Sequence, residues 1–130
     1  MKIFYLIPSD TRIELSHKNV IRGIKAGMSA GGVVEVQHSE QADLIVVIAS
    51  YLIPLEIIAR AHHSKGSRRI LTIFIEDPAI HRINIIASRY ADYVTTNDVA
   101  TIPSYQEQFK ADGKNPDNIY WQPVLLINEK

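Results

Sequence analysis

Two continuous apolar runs constrain the fold of this chain more than any other feature. DLIVVIA occupies residues 43–49, and LTIFI occupies residues 71–75. Each run is far too short to span a membrane, and neither alternates polar with apolar residues as a strand exposed on one face would. Both runs therefore predict strands that are buried on both faces, as in a parallel sheet covered by helices.

Helical patterns and shorter apolar strands complete the order of elements. Leu55, Ile58 and Ala59 share one helical face between the two runs. Further strands are expected near residues 3–7, 33–36, 92–96 and 119–122, with amphipathic helices before the second, fifth and sixth strands. The resulting order, β-α-β-β-α-β-α-β-α-β, is typical of an α/β protein.

The predicted architecture is a single domain over residues 1–130. We expect a Rossmann-like, doubly wound, mainly parallel sheet of about six strands with helices on both faces. Right-handed crossovers leave few topologies, and we expect an order in which strands one and four are neighbours at the switch point. Trp121, on the last strand, is expected to pack against the core.

Composition excludes several classes of function. Lys and Arg total 14, as do Asp and Glu, so there is no net charge to attract nucleic acid or an anionic membrane. The absence of cysteine removes disulfides, thiolate catalysis and cysteine-based zinc sites, and it fits a cytoplasmic protein. Five apolar residues before Pro8 are too few for a signal peptide.

Motifs for cofactors and phosphates are absent. The turn after the first strand reads Pro8-Ser9-Asp10, where a dinucleotide-binding fold needs G-x-G-x-x-G, and the chain has no P-loop. The five histidines do not provide a third ligand at metal-binding spacing. We therefore expect no cofactor and no metal. His17 and His81, each early in a helix, are the better histidine candidates for contacts with an anion or a proton.

Polar residues follow three of the predicted strands at the point where each strand ends. Ligands of open α/β sheets bind at the carboxyl ends of the strands, so these residues are expected to form one ligand-binding crevice. Paired carboxylates there could also perform acid–base chemistry. The alternative is that the aspartates cap helices and Glu76 is solvated. The predicted crevice residues are Ser9, Asp10, Glu76, Asp77, Asn97 and Asp98.

A set of motifs in the second half of the chain resembles a known family. Asp77 and Pro78 follow a strand, ADYVTTND occupies residues 91–98, Tyr105 and Gly113 belong to the next helix, and Pro123 ends the last strand. This arrangement resembles the N-terminal half of glycosyltransferases of the two-Rossmann-domain (GT-B) type, and most of all the CgeB group. The resemblance covers about residues 76–123.

The resemblance implies binding rather than turnover. In that family the second Rossmann domain holds the donor nucleotide-sugar, and this chain ends seven residues after Pro123. The glycine-rich turn common after the first strand of such enzymes is missing as well. We therefore expect a non-catalytic binding or interaction domain whose ligand is a sugar, a nucleotide or a protein partner.

Two other functions stay open at this point. One is a subunit of a split glycosyltransferase that needs a partner chain to supply the donor site. The other is a protein inhibitor that uses the fold as a scaffold. Self-association into a homo-oligomer through an edge strand or an exposed helix also stays open.

Overall fold

A computed structural model describes residues 1–8 and 15–122, with the side chains of residues 15–17 left out. Within these ranges the chain forms one sheet of six strands in which every strand pairing is parallel, confirming the α/β class. The strands are β1 (Lys2–Leu6), β2 (Val34–Glu35), β3 (Leu44–Ile48), β4 (Arg69–Phe74), β5 (Tyr93–Thr96) and β6 (Ile119–Trp121).

The strand order is β2-β1-β3-β4-β5-β6, so the expectation that strands one and four are neighbours is wrong. Strand β3 lies between them, with Ile45 opposite Phe4 on β1 and opposite Ile70 on β4. The four apolar residues 45–48 are at most 2% exposed and need cover on both faces, which a central position provides. The order places the topological switch point between β1 and β3.

Four helices pack on the sheet in the described ranges, and they are divided unequally between its faces. They are α1 (Leu15–Ala30), α2 (Leu55–Ser64), α3 (His81–Ser88) and α4 (Ile102–Ala111). Ile21 of α1 packs in the cluster that holds Ile73 of β4, whereas Tyr105 of α4 packs with the next residue, Phe74. Adjacent strand residues point to opposite faces, so α1 covers one face, and α2, α3 and α4 cover the other.

Helix ends follow the signals in the sequence. Pro54 precedes α2 and Pro103 lies in the first turn of α4, where a missing N–H does not interrupt the helix. Gly113 follows α4 with φ of 72°, a left-handed conformation that glycine adopts without steric cost. No helix in the described part of the chain is long and apolar enough to cross a membrane.

An ion pair fixes the amino ends of the central strands. The Asp92 carboxylate accepts hydrogen bonds from Lys65 Nζ at 2.7 and 2.8 Å and from Ile70 N at 2.9 Å. Burial of Asp92 opposes its ionisation, but these hydrogen bonds and the nearby cationic groups hold the pKa of the carboxyl below its usual value. The pair ties the end of α2 to the residue that precedes β5, and the bond from Ile70 N joins the start of β4 to both.

Strand β6 is an edge strand, and this position explains one failed expectation. Trp121 is 55% exposed and Tyr120 is 50% exposed, so Trp121 does not pack into the core. Ile119, on the same strand, is buried against the α4 cluster. Of the three residues of β6, Ile119 is therefore the one that packs into the core.

Candidate functional site

A cleft of about 320 Å³ opens at the carboxyl ends of β4 and β5. Its walls come from the segment after β4, from the first turn of α3 and from the segment after β5. The cleft is lined by Glu76, Asp77, Pro78, His81, Asp98 and Thr101. Its size is at the lower end of the range of small-molecule sites, which suits a ligand of modest size.

Glu76 is the buried centre of this cleft. Its side chain is 4% exposed. Tyr105 donates its hydroxyl hydrogen to Oε1 of the carboxylate, and His81 Nδ1 lies 2.9 Å from Oε2. Two side chains from two helices thus hold the two carboxylate oxygens in one orientation. A buried carboxylate without such partners would be strongly destabilising.

Tyr105 is held in place by packing as well as by its hydroxyl. The ring is wholly buried and stacks on Phe74, with 4.9 Å between centroids and 11° between ring planes. Burial raises the pKa of the Tyr105 hydroxyl, and the hydrogen bond to Glu76 and the charge of its carboxylate raise it further. The phenol therefore remains a proton donor to Glu76 throughout the physiological pH range.

His81 is the exposed member of the cluster. Its side chain is 30% exposed, and its ring meets the Tyr105 ring edge to face at 5.7 Å between centroids. An ionised Glu76 can only accept a hydrogen bond, so His81 Nδ1 carries the proton of this pair. Nε2 of a neutral ring is then the nitrogen that can accept a proton or a hydrogen bond from a ligand.

The two aspartates combine capping with a place on the cleft wall. Asp77 Oδ1 accepts a hydrogen bond from Ala79 N at 2.8 Å, and Asp98 Oδ1 accepts one from Ala100 N at 3.0 Å. These bonds are the turn and cap contacts expected of aspartate at such positions. Both residues are exposed, and both line the cleft, so their second carboxylate oxygens can meet a ligand.

Asn97 has a different position from the other predicted residues. Its Oδ1 accepts a hydrogen bond from Glu76 N at 2.8 Å, and the side chain does not line the cleft. The residue joins the segment after β5 to the segment after β4. Asn97 therefore fixes the backbone that carries Glu76.

The structure brings together three of the six predicted residues on the cleft wall: Glu76, Asp77 and Asp98. Ser9 and Asp10 lie outside the described residues, and their expected meeting with Glu76 depended on the incorrect adjacency of strands one and four. The His17 side chain also lies outside the described part. His81 lines the cleft.

Two features of the site were not found from the sequence. Tyr105 and Phe109 stand four residues apart on one helical face, and packing in the core or on the crevice wall is sufficient to explain that spacing. Thr101 carried no signal, yet its Oγ1 lies 2.7 Å from Thr96 Oγ1 and it lines the cleft. The signal that could have identified Tyr105 is its position in the helix after strand five, beside the carboxylate that ends strand four.

The switch point between β1 and β3 has its own unusual geometry. Ala49, directly after β3, has φ of 56° and ψ of 48°, a left-handed conformation that is uncommon for alanine. The next residue, Ser50, is 3% exposed, and its hydroxyl has no hydrogen-bond partner in the described part of the chain. Residues 9–14, which follow β1, lie outside that part.

The described residues contain no group of three or more His, Asp or Glu side chains that could hold a metal ion.

Searches against protein-family models, curated proteins and solved structures find no match for this chain.

Proposed function

We propose that this chain is a non-catalytic binding domain related to the N-terminal half of two-Rossmann-domain glycosyltransferases, and that its cleft after β4 and β5 binds a sugar. The observation that carries the proposal is the pair of exposed carboxylates, from Asp77 and Asp98, on the wall of this cleft beside a histidine that Glu76 holds in place. Sugar hydroxyls are donors, and oriented carboxylates are strong acceptors for them.

The charge of the cleft favours a sugar over a phosphate-bearing nucleotide. Three carboxylates line it, from Glu76, Asp77 and Asp98, and no lysine or arginine of residues 1–8 and 15–122 does so. A phosphate would meet like charges there without a cation to balance them. A neutral ligand with many hydroxyls meets acceptors instead.

The relation to glycosyltransferases is supported by where the motifs lie. Asp77 and Pro78 form one wall of the cleft, and Asp98, the last residue of the ADYVTTND motif, forms another. Tyr105, from the following helix, donates to Glu76 between them. The resembling segments thus converge on one site although they are separated along the chain.

The test is calorimetric titration with glucose, galactose, mannose and N-acetylglucosamine, and with nucleoside diphosphates for comparison. We expect saturable binding of at least one sugar and none of the nucleotides. Asp77→Asn and Asp98→Asn keep a capping oxygen but remove a charged acceptor, so each should weaken binding about 10- to 100-fold.

The matched control is Asp117→Asn, because Asp117 is exposed and does not line the cleft. This variant should bind sugar as the wild-type chain does. A flat response to all four sugars, or equal losses in the control and the cleft variants, would overturn the proposal.

A second candidate is a subunit of a split glycosyltransferase, and the Glu76–His81 pair is the observation that favours it. A histidine oriented by a carboxylate can accept a proton from a hydroxyl. Transfer from nucleotide-sugar donors should then occur only with a partner chain present, and His81→Gln should lose that activity. Turnover by the isolated chain would contradict this division of roles.

A further inference from the structure

A second cleft, of about 360 Å³, lies between α3 and α4. Its walls are helical rows: His81 and Ile85 stand four residues apart on α3, and Ser104, Gln108 and Ala111 follow one face of α4. Glu107 completes the lining. The cleft therefore follows the two helices away from the ends of the strands.

His81 belongs to both clefts. It lines the cleft at the carboxyl ends of β4 and β5 (the strand-end cleft) and the cleft between α3 and α4 (the helical cleft), and its side chain is 30% exposed, so a ligand can touch it. The contact with Glu76 at 2.9 Å and the edge-to-face contact with Tyr105 hold the ring in place. The two clefts are thus adjoining parts of one groove with a fixed residue at their junction.

The lining of the helical cleft matches the surface of a sugar ring, which has polar edges and apolar C–H faces. Ser104, Glu107 and Gln108 supply a hydroxyl, a carboxylate and an amide, while Ile85 and Ala111 supply apolar surface. Gln108 Nε2 donates to Asp112 Oδ2 at 3.1 Å, which leaves the amide oxygen as an acceptor.

The charge of the helical cleft agrees with that of the strand-end cleft. Glu107 is its acidic residue, and no lysine or arginine of the described ranges lines either part. A chain of phosphates would therefore be repelled along the whole groove, whereas a chain of neutral, hydroxyl-bearing units would meet acceptors in both parts.

We propose that the ligand is an oligosaccharide, with one sugar unit in the strand-end cleft and the next unit in the helical cleft, and with His81 at the linkage between them. This inference rests on the proposed function, since it assigns a second subsite to the same sugar-binding site. Gln108 is its specificity-determining residue, because it contacts only the second unit.

The test compares chain lengths in the same calorimetric titration. The probes are glucose with maltose, maltotriose, cellobiose and cellotriose, and N-acetylglucosamine with its β-1,4-linked dimer and trimer. We expect the disaccharide or trisaccharide of one series to bind at least 10-fold more tightly than its monosaccharide. Gln108→Ala should remove most of that gain and leave the affinity for the monosaccharide unchanged.

Gln106→Ala is the matched control, because Gln106 lies on the same helix and lines neither cleft. Equal affinity for monosaccharide and oligosaccharides would overturn the two-subsite inference and leave the proposed function standing. A length-dependent gain that Gln108→Ala does not alter would also overturn it. Absence of binding by every monosaccharide would overturn the proposed function, and the second subsite with it.

Discussion

Replacing Tyr105 by Phe isolates the hydrogen bond at the centre of the site. The substitution keeps the ring stacked on Phe74 and removes only the hydroxyl that donates to Glu76. A hydrogen bond to a charged group contributes about 1.5–3 kcal/mol, and the Glu76 side chain is only 4% exposed, so water cannot readily replace the lost donor. We expect a loss of about 2–3 kcal/mol in the free energy of unfolding.

The pH dependence gives this prediction a second readout. Above pH 10 the unfolded chain loses the Tyr105 proton, whereas the folded protein keeps it because the pKa of Tyr105 is raised above 10.0. The unfolded state then binds fewer protons, so the stabilising contribution is complete below pH 10 and declines as the pH rises, by up to about 1.4 kcal/mol per pH unit. The phenylalanine variant lacks this decline, and the stability gap should narrow above pH 10.

The assay is urea denaturation of both proteins from pH 8 to pH 11, with thermal melts at pH 8. At this chain length a loss of 2–3 kcal/mol lowers Tm by roughly 6–15 °C. Tyr120→Phe is the matched control, since Tyr120 is 50% exposed and its loss of a hydroxyl should change stability by less than about 0.5 kcal/mol. A Tyr105→Phe variant within 2 °C of the wild type, or a gap that stays constant to pH 11, would refute the assigned role of the hydroxyl.

Two further predictions concern stability. Asp92→Asn should cost about 2 kcal/mol at pH 7 in urea denaturation, because Lys65 loses its charged partner. The lowered pKa of Asp92 stabilises the folded state above pH 3.8, and this stabilisation is lost as the pH falls below that value. On acidification the Asp92→Asn variant should therefore lose less stability than the wild type. An equal loss of stability in both proteins would contradict this expectation. Gly113→Ala should lower the free energy of unfolding by about 1 kcal/mol, since φ is 72°, while Gly27→Ala, inside α1, should raise it by about 0.5–1 kcal/mol. Apart from the adjoining backbone, no atom of the described residues lies within 4 Å of a Cβ added at either site, so changes of the same sign would contradict the backbone argument.

The class of fold could be predicted from the sequence because it depends on local patterns. Apolar runs mark β3 and β4, and the turn after residue 76 marks the end of a strand. The strand order could not be predicted, because residues 43–49 and 71–75 are equally apolar and either could stand beside β1. Which of the two strands lies beside β1 depends on how the helices and the other strands cover both faces of the sheet. This is a property of the assembled sheet and not of either strand alone.

The sequence predicts a site residue where its position depends on neighbouring residues, and it does not predict contacts between residues that are far apart in the chain. Glu76 and Asp77 stand directly after a strand, so their position at the sheet edge follows from the sequence. The bond from Tyr105 to Glu76 spans 29 residues, and no spacing rule reports it. Asn97 is predicted to line the crevice because it follows a strand, but in the structure its side-chain oxygen accepts a hydrogen bond from the backbone N–H of Glu76.

The bond from Glu76 N to Asn97 Oδ1 bears on the entropy of binding. Phe74 pairs with Thr96 at the last step of the β4–β5 ladder, and the Asn97 contact continues that pairing into the segments beyond the strands. Fixing one backbone residue costs about 1–2 kcal/mol in conformational entropy, and this cost at Glu76 is met on folding and not on binding. The sugar proposed for this cleft would therefore meet a wall that is already ordered, and more of its contact energy would remain as affinity.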